Sequence, residues 1–347
     1  MNSSKRFAFG LAMGLLLARP AEAQQLPVIE QTLAAWVAAQ KHALPNSMPH
    51  FDQERNRNAL FGAMLSNIIG QEWEKASQTA QKLNYQLARI NETNGAFVVA
   101  ADPNGIDPIV IVNVSALKDV IVQAPHVPFE KGTAEQAVTL LKNLGARAAI
   151  ISGAHRCASR SFTMCNGRTA VCSGSLESFR ASDVGHNTDT LFHLAHTILS
   201  DRWRNSLVIS LHRMEKDSDG VRTSVVISNG VMADDNRAAT AATRLRFALS
   251  ETIKAPGRIV SCNVQSDSKY DYRPLCGFTN VQGRHVNGDK DACRFGVMQG
   301  TGRFVHLEQD RSVLDAYAED LDQIERHPFH RALIRSLGEI LPAISRR

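Results

Sequence analysis

The chain has 347 residues, mixed charge and a formal net charge of +5, enough for one large domain or two modest ones. With no dense Lys/Arg run, so small a basic excess argues against a nucleic-acid partner, while anionic small molecules remain compatible with it. Past the N-terminus there is no apolar run long enough for a membrane helix, so stable membrane insertion is not expected.

Lys5 and Arg6 precede an apolar run from Phe7 to Ala18, and Ala21-Glu22-Ala23 offers a small-residue cleavage site. This pattern predicts a signal peptide over residues 1–23, cut after Ala23, and a periplasmic or secreted protein. Its removal takes away Lys5, Arg6, Arg19 and Glu22 and leaves a net charge of +3. Six cysteines remain: Cys157, Cys165, Cys172, Cys262, Cys276 and Cys293. An even count in an exported chain predicts disulfides, whose pairing spacing does not reveal. A zinc-thiolate site is the rival reading, although no C-x2-C pair is present.

Residues 24–95 read as a helical N-terminal segment, with a helix to about residue 45 and further helices over 57–90. From Ala96 strands alternate with helices to the C-terminus. Strands are expected over Ala96–Ala101 and Pro108–Val114, joined as a hairpin by "DPNGID", and over Asp119–Ala124. A helix follows over Thr133–Leu144, where Thr133 and Gln136 fit a capping box. Next come a strand at Ala148–Ser152, a helix at Asn187–Leu199, and strands at Leu207–Leu211 and Thr223–Ser228. A helix at Arg237–Ile253, strands at Arg258–Cys262 and Gly302–Leu307, and two C-terminal helices complete the pattern. Apolar runs such as "VIV" and "AAII" suit a sheet covered on both faces. The expected fold is α/β: a mixed, mostly parallel central sheet with helices on both faces, the catalytic domain spanning 96–347.

In open α/β sheets, ligands bind beyond the carboxyl ends of the strands. There the chain places His126 and Glu130, Arg156, and His212 with Arg213. His126, Glu130 and His212 make the two-histidine, one-carboxylate set of a catalytic zinc site, so Zn2+ is the expected cofactor. Zinc chemistry also needs a carboxylate to move a proton. "GRFVHLEQ" offers Glu308, on the same strand face as Phe304 and His306. Arg284, on the loop "TNVQGRHVNG" with Asn287, and Arg156 are candidates for holding a substrate carboxylate. Asp183 and His186 are candidates for supporting a ligand or touching substrate. A competing cluster, Asp189, His193 and His196, shares one helical face. "GSLES" lacks the second glycine of a nucleophile elbow.

These residues resemble the zinc-dependent carboxypeptidase-like hydrolases, a group spanning metallocarboxypeptidases, N-formylglutamate amidohydrolases and poly-γ-glutamate hydrolases. The resemblance covers residues 96–310 and rests on His126, Glu130, His212 and Glu308 in that order. "PHVPFEKGT" is similar to the poly-γ-glutamate hydrolase loop in Glu130, Gly132 and Thr133, and "RFVHLEQ" to the late strand bearing the catalytic Glu. The chain departs from the carboxypeptidases in spacing its first pair as His-x-x-x-Glu and in lacking an Asn-Arg pair before His212. The resemblance implies an exported zinc hydrolase cleaving a peptide or γ-glutamyl-like amide bond in a small carboxylate-bearing substrate, cell-wall fragments included. An inactive binding protein of the same fold, or a secreted esterase, is the alternative.

Overall fold

The apolar runs form one ten-stranded sheet in a computed structural model that describes residues 25–48, 51, 55–214, 223–231, 240–252, 258–270, 273–319 and 324–341. The expected signal peptide lies outside the described residues. In chain order the strands are β1 (Val28–Ile29), β2 (Gln86–Glu92), β3 (Gly95–Ala101), β4 (Ile109–Asn113), β5 (Lys118–Ala124), β6 (Ala146–Ile151), β7 (Arg168–Thr169), β8 (Glu177–Ser178), β9 (Leu207–Met214), β10 (Thr223–Ser228), β11 (Arg258–Ser261) and β12 (Phe304–Asp310). The helices are α1 (Leu33–Ala38), α2 (Arg55–Ile69), α3 (Trp73–Leu83), α4 (Thr133–Leu144), α5 (Leu191–Arg202), α6 (Ala241–Thr252), α7 (Val281–Val286), α8 (Arg311–Glu319) and α9 (Pro328–Ile340).

The sheet runs β1-β2-β3-β4-β6-β5-β9-β12-β10-β11, and β7 with β8 forms a separate two-stranded ribbon. Its middle, β6-β5-β9-β12, is parallel, and β2-β3-β4 is an antiparallel meander. This is the expected mixed, mostly parallel sheet. Alternation along each strand feeds two cores. Ile209, Leu211, Val305 and Leu307 pack with α4, α6 and α9, while Val208 and Phe304 pack with α2, α3 and α5. Each fully buried Leu, Ile or Phe in such a layer contributes about 1.5–3 kcal/mol. Among the described residues, no helix is long and apolar enough to cross a membrane.

Three local expectations need correction. Residues 86–92 are not helical: Asn84 ends α3 in the left-handed conformation, at φ 58°, and "QLARINE" then alternates, burying Ala88 and Ile90. Paired with β3, this strand makes the segment before residue 96 part of the same sandwich. Residues 25–45 hold β1 and a short α1 capped by Thr32, whose Oγ1 accepts from the Ala35 N–H at 3.2 Å. No capping box starts α4, because Gly132, at φ 89°, is the N-cap. The Thr133 hydroxyl instead donates to the Glu130 carbonyl at 2.7 Å, and Gln136 exchanges amide hydrogen bonds with Gln309 of β12 at 2.7 and 2.8 Å.

All six cysteines are paired, as Cys157–Cys172, Cys165–Cys293 and Cys262–Cys276. The second bridge ties the long loop after β6 to the loop after α7.

Candidate metal centre

The site is assembled at the carboxyl ends of the parallel strands. Parallel register sets Glu308 beside His212 and His306 beside Ser210, all on one face of the sheet. His126 lies two residues past β5, and Glu130 in the turn leading to α4. The Glu130 N–H donates to the His126 carbonyl at 2.9 Å, holding that turn closed. Arg156, Asp183 and His186 come from the long loop after β6. Gly185 permits the approach: a Cβ there would stand 2.8 Å from His126 Nε2.

Three buried ligating atoms converge. His126 Nδ1 lies 2.7 Å from Glu130 Oε1 and 3.2 Å from His212 Nδ1, and His212 Nδ1 lies 3.3 Å from Glu130 Oε2. The ligand atoms of these three residues all lie within 4.8 Å of one another. Two imidazole nitrogens and a carboxylate facing one point require a proton or a cation there. This nitrogen and oxygen donor set suits a divalent transition metal. Two flanking triads, His126-Asp183-His186 and His212-His306-Glu308, meet the same distance criterion.

The surroundings orient these donors. His126 Nε2 lies 3.0 Å from Asp183 Oδ1, which places the ring proton on Nε2 and turns Nδ1 toward Glu130 and His212. His212 Nε2 lies 3.0 Å from the Ser210 hydroxyl, to the same effect. Arg156 grips the other Asp183 oxygen through Nε at 3.1 Å and Nη2 at 2.6 Å, and the Arg213 backbone N–H donates to Glu130 Oε2 at 3.2 Å. His306 stacks on His212, with ring centroids 4.2 Å apart.

Three carboxyl groups, Glu130 and Asp183 buried and Glu308 partly buried, face one buried guanidinium, Arg156, and their protonation reflects that imbalance. Burial, with the charge of Glu130 added, pushes Glu308 up to about 8. Burial acts the same way on Glu130 and Asp183, but is overcome. His126 and His212 hold Glu130 below the ordinary carboxylate range, while Arg156, His186 and His126 hold Asp183 there. Burial and Arg156 disfavour a charged His126, yet the carboxylates of Glu130 and Asp183 raise it to about 9. Burial lowers His212 to about 4. The triad therefore attracts positive charge, and a carboxyl group able to carry a proton near neutral pH stands beside it.

A cavity of about 480 Å³ opens over the triad, walled by Phe129, Phe179, Arg168, Arg213, Leu275 and Phe278 among others. His126, Glu130, His212, Glu308, Arg156 and His186 all line it, and Asp183 lies behind His126. Arg284 and Asn287 do not, and the substrate role expected of them is withdrawn. Arg284 donates to the carbonyls of Phe278 and Ala292, at 2.8 and 3.0 Å, and fastens its own loop, while Asn287 bridges Asn229 and Thr301 and ties that loop to the turn after β10. Asp189, His193 and His196 form no ligand group among the described residues. Instead His196 Nδ1 lies 2.7 Å from the Gln123 amide, and both imidazoles pack against His285. Sequence reasoning gave no role to His306, although its period-two spacing from Glu308 placed it on the same face. Arg168 sits on the two-residue strand β7, too short to leave such a signal.

No family model matches the chain, and no curated protein matches it. Among solved structures, the chain is similar to gene product Atu2144 from Agrobacterium tumefaciens, at 12% identity and a TM-score of 0.35, over 64% of this chain and 92% of that one.

Proposed function

We propose that the protein is an exported, zinc-dependent hydrolase of the carboxypeptidase-like kind, cleaving an amide bond in a small carboxylate-bearing substrate such as a peptide, γ-glutamyl chain or cell-wall fragment. The observation that carries this reading is the convergence of His126, Glu130 and His212 at the strand ends with Glu308 alongside. His126 Nδ1, the Glu130 carboxylate and His212 Nδ1 would hold the ion. Such an ion supplies Lewis acidity to a carbonyl and to water.

The remaining work falls to the chain. Glu308 takes the proton from the attacking water and delivers it to the departing amine. Its tendency to hold a proton, caused by burial and Glu130, suits the second half of that task. Asp183 fixes the tautomer of His126, and Arg156 fixes Asp183. Arg156 also faces the cavity and adds positive charge where a substrate oxygen becomes anionic. Three disulfides and the signal-like N-terminus support an oxidising, extracytoplasmic location.

Metal analysis of the purified chain and of Glu308→Gln tests the proposal. Both proteins are expected to carry one zinc, with turnover of amide substrates falling about 10²–10⁴-fold in the variant. Full activity in Glu308→Gln would remove Glu308 from its role. A chain that takes up no zinc, and whose thermal midpoint ignores chelator, would overturn the metal reading.

A further inference from the structure

Residues 157–180, which carry β7 and β8, line one side of the cavity through Arg168, Thr169, Val171 and Phe179, and residues 288–300 are tied to them. The Cys165–Cys293 disulfide cross-links them, and Asn166 reinforces the join, its N–H donating to the Cys293 carbonyl at 2.9 Å and its Nδ2 to the Arg294 carbonyl at 2.8 Å. The disulfide places Met164, next to Cys165, and Phe295, two residues past Cys293, on one cross-linked rim beside the cavity wall. Arg168 lines the cavity and donates through Nη2 to the Leu176 carbonyl at 3.0 Å, which brings Leu176 to the same mouth.

The side chains of this rim are out of place for a surface in contact with water alone. Met164 is 88% exposed, Leu176, Phe295 and Met298 are each 61% exposed, and Phe162 is 49% exposed. Single exposed apolar side chains are ordinary, but a group of them on two cross-linked loops marks a contact surface. Its charge is basic on the first loop and balanced on the second, where Asp289 and Asp291 stand against Lys290 and Arg294. Residues 157–180 carry Arg160, Arg168 and Arg180 against Glu177 alone. Glu177 pairs with Arg180 at 2.8 Å, and that guanidinium lies 4.9 Å from the centre of the Phe162 ring. Arg160 and Arg168 have no ion-pair partner among the described residues.

Exposed apolar tips interspersed with uncompensated guanidinium groups match the two layers of a lipid interface. Apolar side chains enter the boundary between headgroups and acyl chains, while cations meet the phosphates. We propose that this rim docks the protein on a bilayer surface rich in anionic phospholipid, with the cavity mouth turned toward the headgroups. The proposal does not depend on the metal reading.

Co-sedimentation of the full chain with vesicles tests it. Wild type is expected to sediment with vesicles containing phosphatidylglycerol and to stay in solution with pure phosphatidylcholine. The variant Met164→Ser/Leu176→Ser/Phe295→Ser should lose about tenfold or more in partition coefficient, with an unchanged thermal midpoint. Arg160→Gln/Arg168→Gln, which leaves the apolar tips intact, should weaken binding to anionic vesicles and reduce its sensitivity to about 0.5 M salt. Failure of wild type to sediment with anionic vesicles, or equal sedimentation of all three proteins, would overturn the proposal. So would a wild-type dimer that the serine variant dissociates, since the rim would then be a contact between copies of the chain.

Discussion

Asp183 is buried with no exposed surface, between a guanidinium and two imidazoles. Its contribution to the site is to orient His126. By accepting from His126 Nε2, it keeps the Nδ1 lone pair turned toward Glu130 and His212. An asparagine would preserve the volume but remove the charge, leaving Glu130, 3.6 Å from Arg156 Nη1, as the nearest carboxylate to that guanidinium. Asp183→Asn is therefore expected to weaken zinc affinity about 10–100-fold while the fold persists, and excess zinc should restore part of the lost turnover. Competitive titration with a metal indicator checks this, and an unchanged affinity would show that Asp183 does not orient His126. At this scale the convergence of His126, Glu130, His212 and Glu308 was legible, because imidazoles and carboxylates are few and fall here at strand ends. The placement of Arg284 was not. An arginine flanked by glycine in a loop has the same sequence whether it reaches a ligand or binds carbonyls of its own turn.

Among the elements, the parallel strands were the most readable because burial on both faces writes them as unbroken apolar runs. Thr133–Leu144 emerged with its expected bounds, although Gly132 and the Gln136–Gln309 pair, rather than a capping box, fix its start. β2 was missed because its alternation follows a helix after a single left-handed residue, and only pairing with β3 identifies it as a strand. Disulfide pairing was hidden for a related reason. Cys165–Cys293 spans 128 residues, and no local pattern encodes which distant loop the topology brings near. That bridge also defines a separable role for the loops. Replacing it with Cys165→Ser/Cys293→Ser is expected to cost about 2–5 kcal/mol, read from denaturant midpoints. Zinc content should remain near wild type, since His126, Glu130 and His212 belong to the strand ends. KM should rise more than kcat falls, because the loosened loops carry the cavity wall. Loss of zinc with the bridge would place the loops inside the metal centre after all.

At the scale of the whole molecule, the two-faced sandwich encloses ionisable groups that stand outside the candidate site. His193 and His196 lie on α5 with His285 of α7 against them. Burial lowers His193 to about 3, with His285 adding to the effect, and the same causes hold His196 well below its usual range. Both are therefore neutral in the folded protein under conditions where the unfolded chain begins to protonate them, at about pH 6.5. For such depressed groups the stabilisation is complete above the unfolded value and is lost as pH falls toward the folded one. Each group adds a slope of up to about 1.4 kcal/mol per pH unit below that point, less where neighbouring imidazoles compete for the same proton. The raised His126 does not offset this loss, because below about pH 6.5 it is protonated in both states. Glu308, held up to about 8, is protonated in the fold while the unfolded chain is still ionised over this range and so offsets about one such group, and stability should fall between pH 6.5 and 5 by what the remaining buried histidines contribute. His193→Gln, which cannot take up a proton, should flatten that slope while leaving zinc content unchanged. Denaturant midpoints for both proteins across this range, at saturating zinc, measure the difference, and parallel curves would show that these histidines do not set the acid limit of the fold.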